Sequence, residues 1–118
     1  MLRLPSAVRA YLCSEPTDMR RSFDTLARMA EAVVGQDPFS GHLFLFRSRR
    51  GDRVKVLYWD GDGFALWYKR LEQGVFAVPA SAPDGRLDAR DLAMMLEGVD
   101  LGRVRRRPRY ARRDSSNS

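Results

Sequence analysis

Residues 43–59 read LFLFRSRRGDRVKVLYW, two apolar runs on either side of a short polar stretch. The run at 43–46 is continuously apolar, as expected for a buried strand, and the run at 53–59 alternates as strands do. Residues 49–51 suit a three-residue turn, because Gly51 readily adopts the left-handed conformation that such a turn needs at its third position. The stretch therefore predicts a β-hairpin with an arginine-rich tip.

The length of this turn determines which side chains share a face of the sheet. A two-residue turn would place Phe44 and Phe46 on the face opposite Val54 and Val56, because neighbouring residues of a strand point to opposite sides. A three-residue turn places all four on one face. We expect the three-residue turn, and with it an apolar face that contains both phenylalanines and both valines.

The flanking sequence predicts further strands. A short strand is expected at 8–13, and residues 60–63, DGDG, form a second turn. The segment 64–70 follows this turn as the third strand of a meander. Residues 75–78 are expected to add a short edge strand before a proline.

Two helices are expected, one on either side of the meander. The first begins after a cap at Thr17 or Asp18 and ends at Gly35, because apolar residues recur between them at helical spacing. Its apolar stripe is Met19, Phe23, Leu26, Ala27, Ala30, Val33 and Val34, so we expect Phe23 to be buried.

The second helix begins after Asp88, with Asp91 at the spacing of a capping box. Leu87 and Leu92 stand where a hydrophobic staple would join them, and Gly98 lies close to the helix end. The apolar face of this helix is Leu92, Met95, Leu96 and Val99.

This order of elements predicts an α+β fold. We expect an antiparallel sheet, a meander of three to four strands plus an N-terminal strand, with two helices packed on one of its faces. Residues 1–102 form a single domain, and residues 103–118 form a basic tail that is disordered on its own.

The excess positive charge of the chain lies in this tail. The chain has 118 residues and a formal net charge of +6, and residues 101–118 contain seven arginines and a single aspartate, so this segment carries the whole excess. A segment of that charge density attracts polyanions whatever their sequence. We expect these arginines to contact DNA: Arg103, Arg105, Arg106, Arg107, Arg109, Arg112 and Arg113.

A second basic cluster lies at the hairpin and is opposed only by Asp52. Two-stranded ribbons enter a DNA groove or lie along phosphates, whereas the alternative is a solvated hairpin end whose charges protect a sheet edge. Together with an arginine pair before the first helix, the candidate DNA-binding residues of the body are Arg20, Arg21, Arg47, Arg49, Arg50, Arg53 and Lys55.

The aromatic residues offer a separate candidate surface for a protein partner. In the expected registers Trp59 and Trp67 share the face opposite Tyr58. They form either an exposed platform for a partner or for bases, or part of a face that the helices cover.

The sequence predicts no catalytic residue, no metal site and no cofactor or small-molecule substrate. Cys13 and His42 are the only cysteine and the only histidine, which excludes a Cys-based zinc site and a His-paired triad. Asp60 and Asp62 lie in a glycine-rich turn, where Asp-Gly pairs serve the backbone. A small nuclease therefore lacks the convergent acidic site that it needs.

Targeting signals and membrane spans are not evident in the sequence. No stretch approaches the roughly 18 apolar residues of a membrane span. The N-terminus lacks the apolar core of a secretory signal. We expect a cytoplasmic protein with no membrane partner.

Six segments, taken in order along the chain, closely resemble one family. They are residues 16–24 (PTDMRRSFD), 37–41 (DPFSG), 43–46 (LFLF), 49–60 (RRGDRVKVLYWD), 68–72 (YKRLE) and 96–100 (LEGVD). Together they resemble the small accessory protein, often labelled TnpB, of the insertion-sequence sixty-six family of bacterial mobile elements. The resemblance covers residues 8–101, with mild departures at Thr17, Arg21 and Val78.

The resemblance implies that the chain helps a separately encoded DDE-type transposase to move the element. The implied partners are the DNA ends of the element, the transposase and the element's other accessory protein, and no catalytic residue is implied. Two hypotheses remain open: a DNA-binding accessory factor, or a protein-interaction adaptor that binds the transposase without direct DNA contact. Gathering of Arg49, Arg50, Arg53 and the pair at 20–21 on one surface favours the first, and a dominant uncovered apolar patch favours the second.

Overall fold

A five-stranded sheet forms the middle layer of the protein in the computed structural model, which describes residues 8–79 and 85–98. Its strands are β1 (Ala10–Leu12), β2 (Leu43–Arg47), β3 (Arg53–Trp59), β4 (Phe64–Arg70) and β5 (Arg86–Leu87), and the helices are α1 (Phe23–Met29) and α2 (Ala89–Glu97). The strand order is β4-β3-β2-β1-β5. The α+β class is confirmed. The sheet is mixed, since β1 is parallel to β2 and the other neighbours are antiparallel.

The N-terminal strand joins the meander through a helical crossover. Parallel neighbours need such a connection, and the segment containing α1 supplies it between β1 and β2. α1 continues into a π-helical turn, Ala30–Val34, and ends as expected at Gly35, which has a φ of 80°. None of the helices in the described ranges is long and apolar enough to cross a membrane.

The edge strand expected at residues 75–78 is not part of the sheet. Residue 75 forms only an isolated bridge, so the strand expected at 75–78 is not formed. The Phe76 N–H instead donates to the Gly51 carbonyl oxygen at 2.8 Å, which ties this segment to the hairpin tip. β5 provides the edge strand.

The β2–β3 hairpin has a four-residue turn, residues 49–52, rather than the expected three-residue turn. Leu45 pairs with Val56, and Phe46 pairs with Lys55. The two phenylalanines of β2 therefore point to the face opposite Val54 and Val56, and the expected grouping was wrong.

Ser48 explains the longer turn. The Ser48 N–H donates to the Arg53 carbonyl oxygen at 2.9 Å, and the Arg53 N–H donates to Ser48 Oγ at 3.1 Å. The Gly51 N–H also donates to the Ser48 carbonyl oxygen, at 3.0 Å. The left-handed Gly51, with a φ of 82°, fits a four-residue turn as well as a three-residue one.

The helices cover opposite faces of the sheet, so the expectation of a single helical face was wrong. On the α1 face the buried residues are Tyr11, Cys13, Leu26, Ala30, Phe44, Phe46 and Leu57. On the α2 face they are Ala10, Leu12, Leu43, Leu45, Val54, Val56, Phe76, Leu87, Leu92, Met95 and Leu96. β1 and β2 place apolar side chains on both sides, and each side needs a covering layer.

α1 begins four residues later than a cap at Asp18 would place it, at Phe23 after Ser22. Asp18 Oδ1 accepts a hydrogen bond from the Arg20 N–H at 2.9 Å, a local turn that competes with helix formation. Met19 therefore precedes the helix. Phe23 lies in its first turn and is 42% exposed, so the expectation that Phe23 is buried was wrong.

α2 agrees with the sequence analysis. Asp88 Oδ1 accepts from the Asp91 N–H at 2.7 Å, and the Asp91 carboxylate accepts from the Asp88 N–H, which completes the capping box. The apolar residues of this helix at 92, 95 and 96 are buried as expected. Val99, expected on the same face, lies outside the described residues.

Replacement by alanine is expected to lower the free energy of unfolding by different amounts at Phe46 and at Phe23, because the two side chains differ in burial. Phe46 is fully buried and Phe23 is 42% exposed. Phe46→Ala is expected to lower the free energy of unfolding by about 3–5 kcal/mol through the cavity that it leaves. Phe23→Ala is expected to cost no more than about 1 kcal/mol. Urea unfolding of the two variants checks this difference, and equal losses would contradict the exposed position of Phe23.

Candidate nucleic-acid interface

Two distant segments of the chain meet at the tip of the β2–β3 hairpin. Residues 17–20 run past the end of β2, where the Thr17 N–H donates to the Arg47 carbonyl oxygen at 2.9 Å. Side chains from this segment, the hairpin and β4 line an open concavity of about 440 Å³, which we call the basic concavity. Its lining residues are Thr17, Asp18, Met19, Arg20, Ser48, Arg49, Arg50, Asp52, Arg53 and Tyr68.

Four of the predicted DNA-binding residues, Arg20, Arg49, Arg50 and Arg53, therefore come together on one surface. Arg20, Arg49 and Arg50 are exposed. Arg21 is also exposed but is not part of the lining.

Lys55 is buried and serves the structure, which corrects its assignment as a DNA contact. Its side chain is on the α1 face, and the residue is only 8% exposed. The ammonium donates to the Arg21 carbonyl oxygen at 2.7 Å and lies 4.9 Å from the centroid of the Tyr68 ring. These contacts offset the cost of burying a cation and hold the 17–21 segment against the sheet.

Arg47 braces the hairpin tip from the other side of the sheet, so it too is no part of the concavity. It pairs with Val54 and thus faces the α2 side. Its Nε donates to the Phe76 carbonyl oxygen at 2.7 Å. The guanidinium packs where a Cβ at Gly51 would lie.

Both carboxylates in the lining already have partners. Asp18 Oδ2 accepts from Arg20 Nη2 at 2.7 Å, and the hydrogen bonds from Arg20 hold the pKa of Asp18 well below its usual range. Asp52 Oδ1 accepts from Ser48 Oγ at 3.3 Å. Since the four arginines outnumber these carboxylates, the concavity is net positive.

Tyr68 is the residue of this surface that the sequence analysis missed. It is 48% exposed and pairs with Lys55 across β3 and β4. The turn at 60–63 fixes this pairing, since Trp59 pairs with Phe64 and the register continues from there. The sequence contained the signal for this pairing, because a turn of four residues at 60–63 places Trp59 opposite Phe64 and therefore Tyr68 opposite Lys55.

The two tryptophans lie on opposite faces, so the expected shared platform was wrong. Trp67 pairs with Val56 and packs against the core of the α2 face. Trp59 lies on the α1 face, and its ring centroid is 5.1 Å from those of Phe39 and Phe64. We call these three rings the aromatic cluster. It lies at the end of the sheet away from the hairpin tip, and Phe39 is 57% exposed.

The remaining candidate side chains have structural surroundings. Burial raises the pKa of the Cys13 thiol, and His42 Nδ1 accepts from the Arg9 N–H at 3.0 Å. In the 60–63 turn the Asp60 N–H donates to the Gly63 carbonyl oxygen at 2.8 Å. Within 8–79 and 85–98, no three His, Cys, Asp or Glu side chains are grouped so as to hold a metal ion.

The described chain ends near the hairpin tip. A Cβ at Gly98 would lie 2.5 Å from Leu71 Cδ1, and the Leu71 N–H donates to the Asp52 carbonyl oxygen at 2.8 Å. The arginine-rich residues 103–113, and the tail expected at 103–118, lie outside the described residues. Gly98, the last described residue, lies at the hairpin-tip end of the sheet.

Comparison with known proteins identifies the family. The chain belongs to the IS66 Orf2-like proteins, whose family model matches residues 8–106. The uncharacterized protein y4jC of Sinorhizobium fredii (strain NBRC 101917 / NGR234) is 35% identical over 103 residues, which cover 86% of this chain and 87% of y4jC. The uncharacterized protein y4hO of the same strain is 40% identical over 101 residues, 82% and 87% of the two chains. No solved structure matches the chain.

Membership in this family confirms the resemblance found in the sequence. It associates the chain with a bacterial insertion sequence and with an accessory part in its transposition.

The packing of Arg47 against Gly51 predicts different costs at two left-handed glycines. Gly51 and Gly61 have φ values of 82° and 84°, so an alanine at either position carries a similar backbone cost of about 1–2 kcal/mol. A Cβ at Gly61 meets open space, whereas one at Gly51 displaces the Arg47 guanidinium from Phe76. Gly51→Ala is expected to cost about 1 kcal/mol more than Gly61→Ala in thermal unfolding. Equal costs would contradict the bracing role of Arg47.

Proposed function

We propose that the chain is a non-catalytic accessory factor for transposition that binds DNA through the basic concavity. The observation that carries the proposal is the gathering of Arg20, Arg49, Arg50 and Arg53 on one surface from segments that are distant in sequence. Arginine grips phosphate with a pair of hydrogen bonds, which suits a surface that must follow a DNA backbone.

The arginine-rich segment 103–113 extends this surface in the proposal. Residue 103 follows Gly98 by five positions, a reach of at most about 18 Å in an extended chain. Because Gly98 lies at the hairpin-tip end, the segment and the basic concavity can contact the same DNA. The segment adds contacts that depend on phosphate charge rather than on sequence.

In this proposal the separate DDE-type transposase, and not this chain, cleaves the DNA strands. Asp60 and Asp62, the acidic pair that a nuclease would need, are exposed in the turn at the opposite end of β3 from the arginines. The chain acts with that transposase and the element's other accessory protein on the DNA ends of the element, in the bacterial cytoplasm.

A salt titration tests the DNA contact. Arg49→Ala/Arg50→Ala is expected to reduce the magnitude of the slope of log affinity against log salt by about 1–2 on duplex DNA, because each phosphate contact contributes about −0.9. The matched control is Arg28→Ala/Arg90→Ala, which removes the same charge from exposed positions on the two helices. The control is expected to leave the slope unchanged to within about 0.5.

Equal effects of the two double variants would contradict a DNA site at the basic concavity.

Truncation after Gly102 is expected to reduce the magnitude of the slope by about 3–6, since not all seven arginines need to contact phosphate at once. Any sequence preference is expected to survive the truncation, because the ordered surface must carry it.

The aromatic cluster supports a second candidate function, a protein-interaction adaptor. Phe39 exposes more than half of its surface beside Trp59 and Phe64, at the end of the sheet away from the arginines. Exposed aromatic rings of this kind are enriched at protein interfaces. Phe39→Ala is expected to weaken capture of the purified transposase if the adaptor function holds, whereas the Arg49/Arg50 double variant is expected to leave that capture unchanged. Unchanged capture by Phe39→Ala would contradict the adaptor function of the aromatic cluster.

A further inference from the structure

The position of Tyr68 among the arginines points to the form of DNA that this surface accepts. We infer that the basic concavity binds an unpaired nucleotide, with its base stacked on Tyr68 and its phosphates on the surrounding arginines, so that the protein binds single-stranded DNA more tightly than duplex. This inference rests on the proposed function and specifies its ligand.

The Tyr68 ring is exposed to solvent and is restrained by a neighbouring side chain. It lies on β4, one of the two edge strands of the sheet, and is 48% exposed although it is one of the largest side chains of the chain. Lys55 Nζ lies 4.9 Å from its ring centroid and is itself fixed by the Arg21 carbonyl oxygen at 2.7 Å. A ring restrained in this way loses little conformational freedom on binding.

The surroundings of the ring suit a nucleotide. Arg53 lies two residues from Lys55 on the same face of β3, and Arg49 and Arg50 belong to the adjoining turn. An aromatic ring inside a positively charged surface is the arrangement with which proteins hold single strands, because the base stacks while cations follow the backbone. The volume of about 440 Å³ is within the range of sites for small ligands of nucleotide size.

Duplex DNA can contact the arginines of this surface but cannot stack a base on Tyr68. Its bases are stacked on one another, so a ring beside the arginines meets sugar and phosphate instead of a base. The arginines contact the phosphates of either form. The difference between single strand and duplex should therefore depend on Tyr68, whereas the electrostatic part of binding should not.

The experiment compares two fluorescein-labelled probes, oligo(dT) of about twelve nucleotides and a duplex of equal length, by anisotropy with the full chain. The wild type is expected to prefer oligo(dT). Tyr68→Ala is expected to weaken oligo(dT) binding about 5- to 100-fold and duplex binding less than about twofold, and Tyr68→Phe to retain the preference. Phe39→Ala removes an exposed aromatic ring at the other end of the sheet and serves as the matched control, with no expected effect on either probe.

Tyr68→Leu provides a second test that keeps apolar bulk on β4 and removes only the aromatic face, so it applies even if the alanine variant unfolds. It is expected to lose the preference for oligo(dT). No preference in the wild type, or equal weakening of both probes by Tyr68→Leu, overturns this inference while DNA binding through the arginines stands. Failure of the wild type to bind either probe overturns the inference together with the proposed function.

Discussion

The pairing of Leu45 with Val56 across β2 and β3 fixes which side chains of these two strands lie on each face of the sheet. This register sends Phe44 and Phe46 to the α1 face and leaves Val54 and Val56 for the α2 face. Both faces are then apolar, and a helix covers each. The same register places Arg53 and Lys55 on the α1 side, next to the segment that leads into α1.

Lys55 links the core to the surface. Its aliphatic stem and ammonium are buried, and the ammonium holds the 17–21 segment through the Arg21 carbonyl oxygen and lies against the ring of Tyr68. Arg20 thereby reaches the hairpin tip, more than two dozen residues away in sequence. A residue that the sequence offered as a DNA contact thus organises the surface instead of belonging to it.

Much of the fold could be predicted from local signals. The bounds of β3 and β4 follow from alternation and turn residues, and the start of α2 follows from the Asp88–Asp91 capping box. The helix stop at Gly35 and the family were also correctly predicted. The strand bounds, the capping box and the helix stop each depend on residues close together in sequence.

The faces of the sheet could not be predicted in this way. Gly51 in the left-handed conformation suits turns of three or four residues, and the hydrogen bonds of Ser48 select the longer one. One residue more than expected in the β2–β3 turn reverses the parity between these two strands. The 60–63 turn has its expected four residues, and it is this length that separates Trp59 from Trp67 and brings Tyr68 opposite Lys55. Likewise, Asp18 can either cap a helix or close a local turn with Arg20. In the structure it closes the turn, and its carboxylate accepts hydrogen bonds from the backbone and the side chain of Arg20.

Nuclear magnetic resonance mapping with a short single-stranded DNA tests the central claim, that the basic concavity is the DNA site of the body. The amide signals of residues 17–21, 48–53 and 68 are expected to shift together and in proportion to the DNA added. Signals at the aromatic cluster, residues 39, 59 and 64, are predicted to stay in place. Shifts confined to the aromatic cluster, or absent throughout 8–79 and 85–98, would contradict a DNA site at the basic concavity.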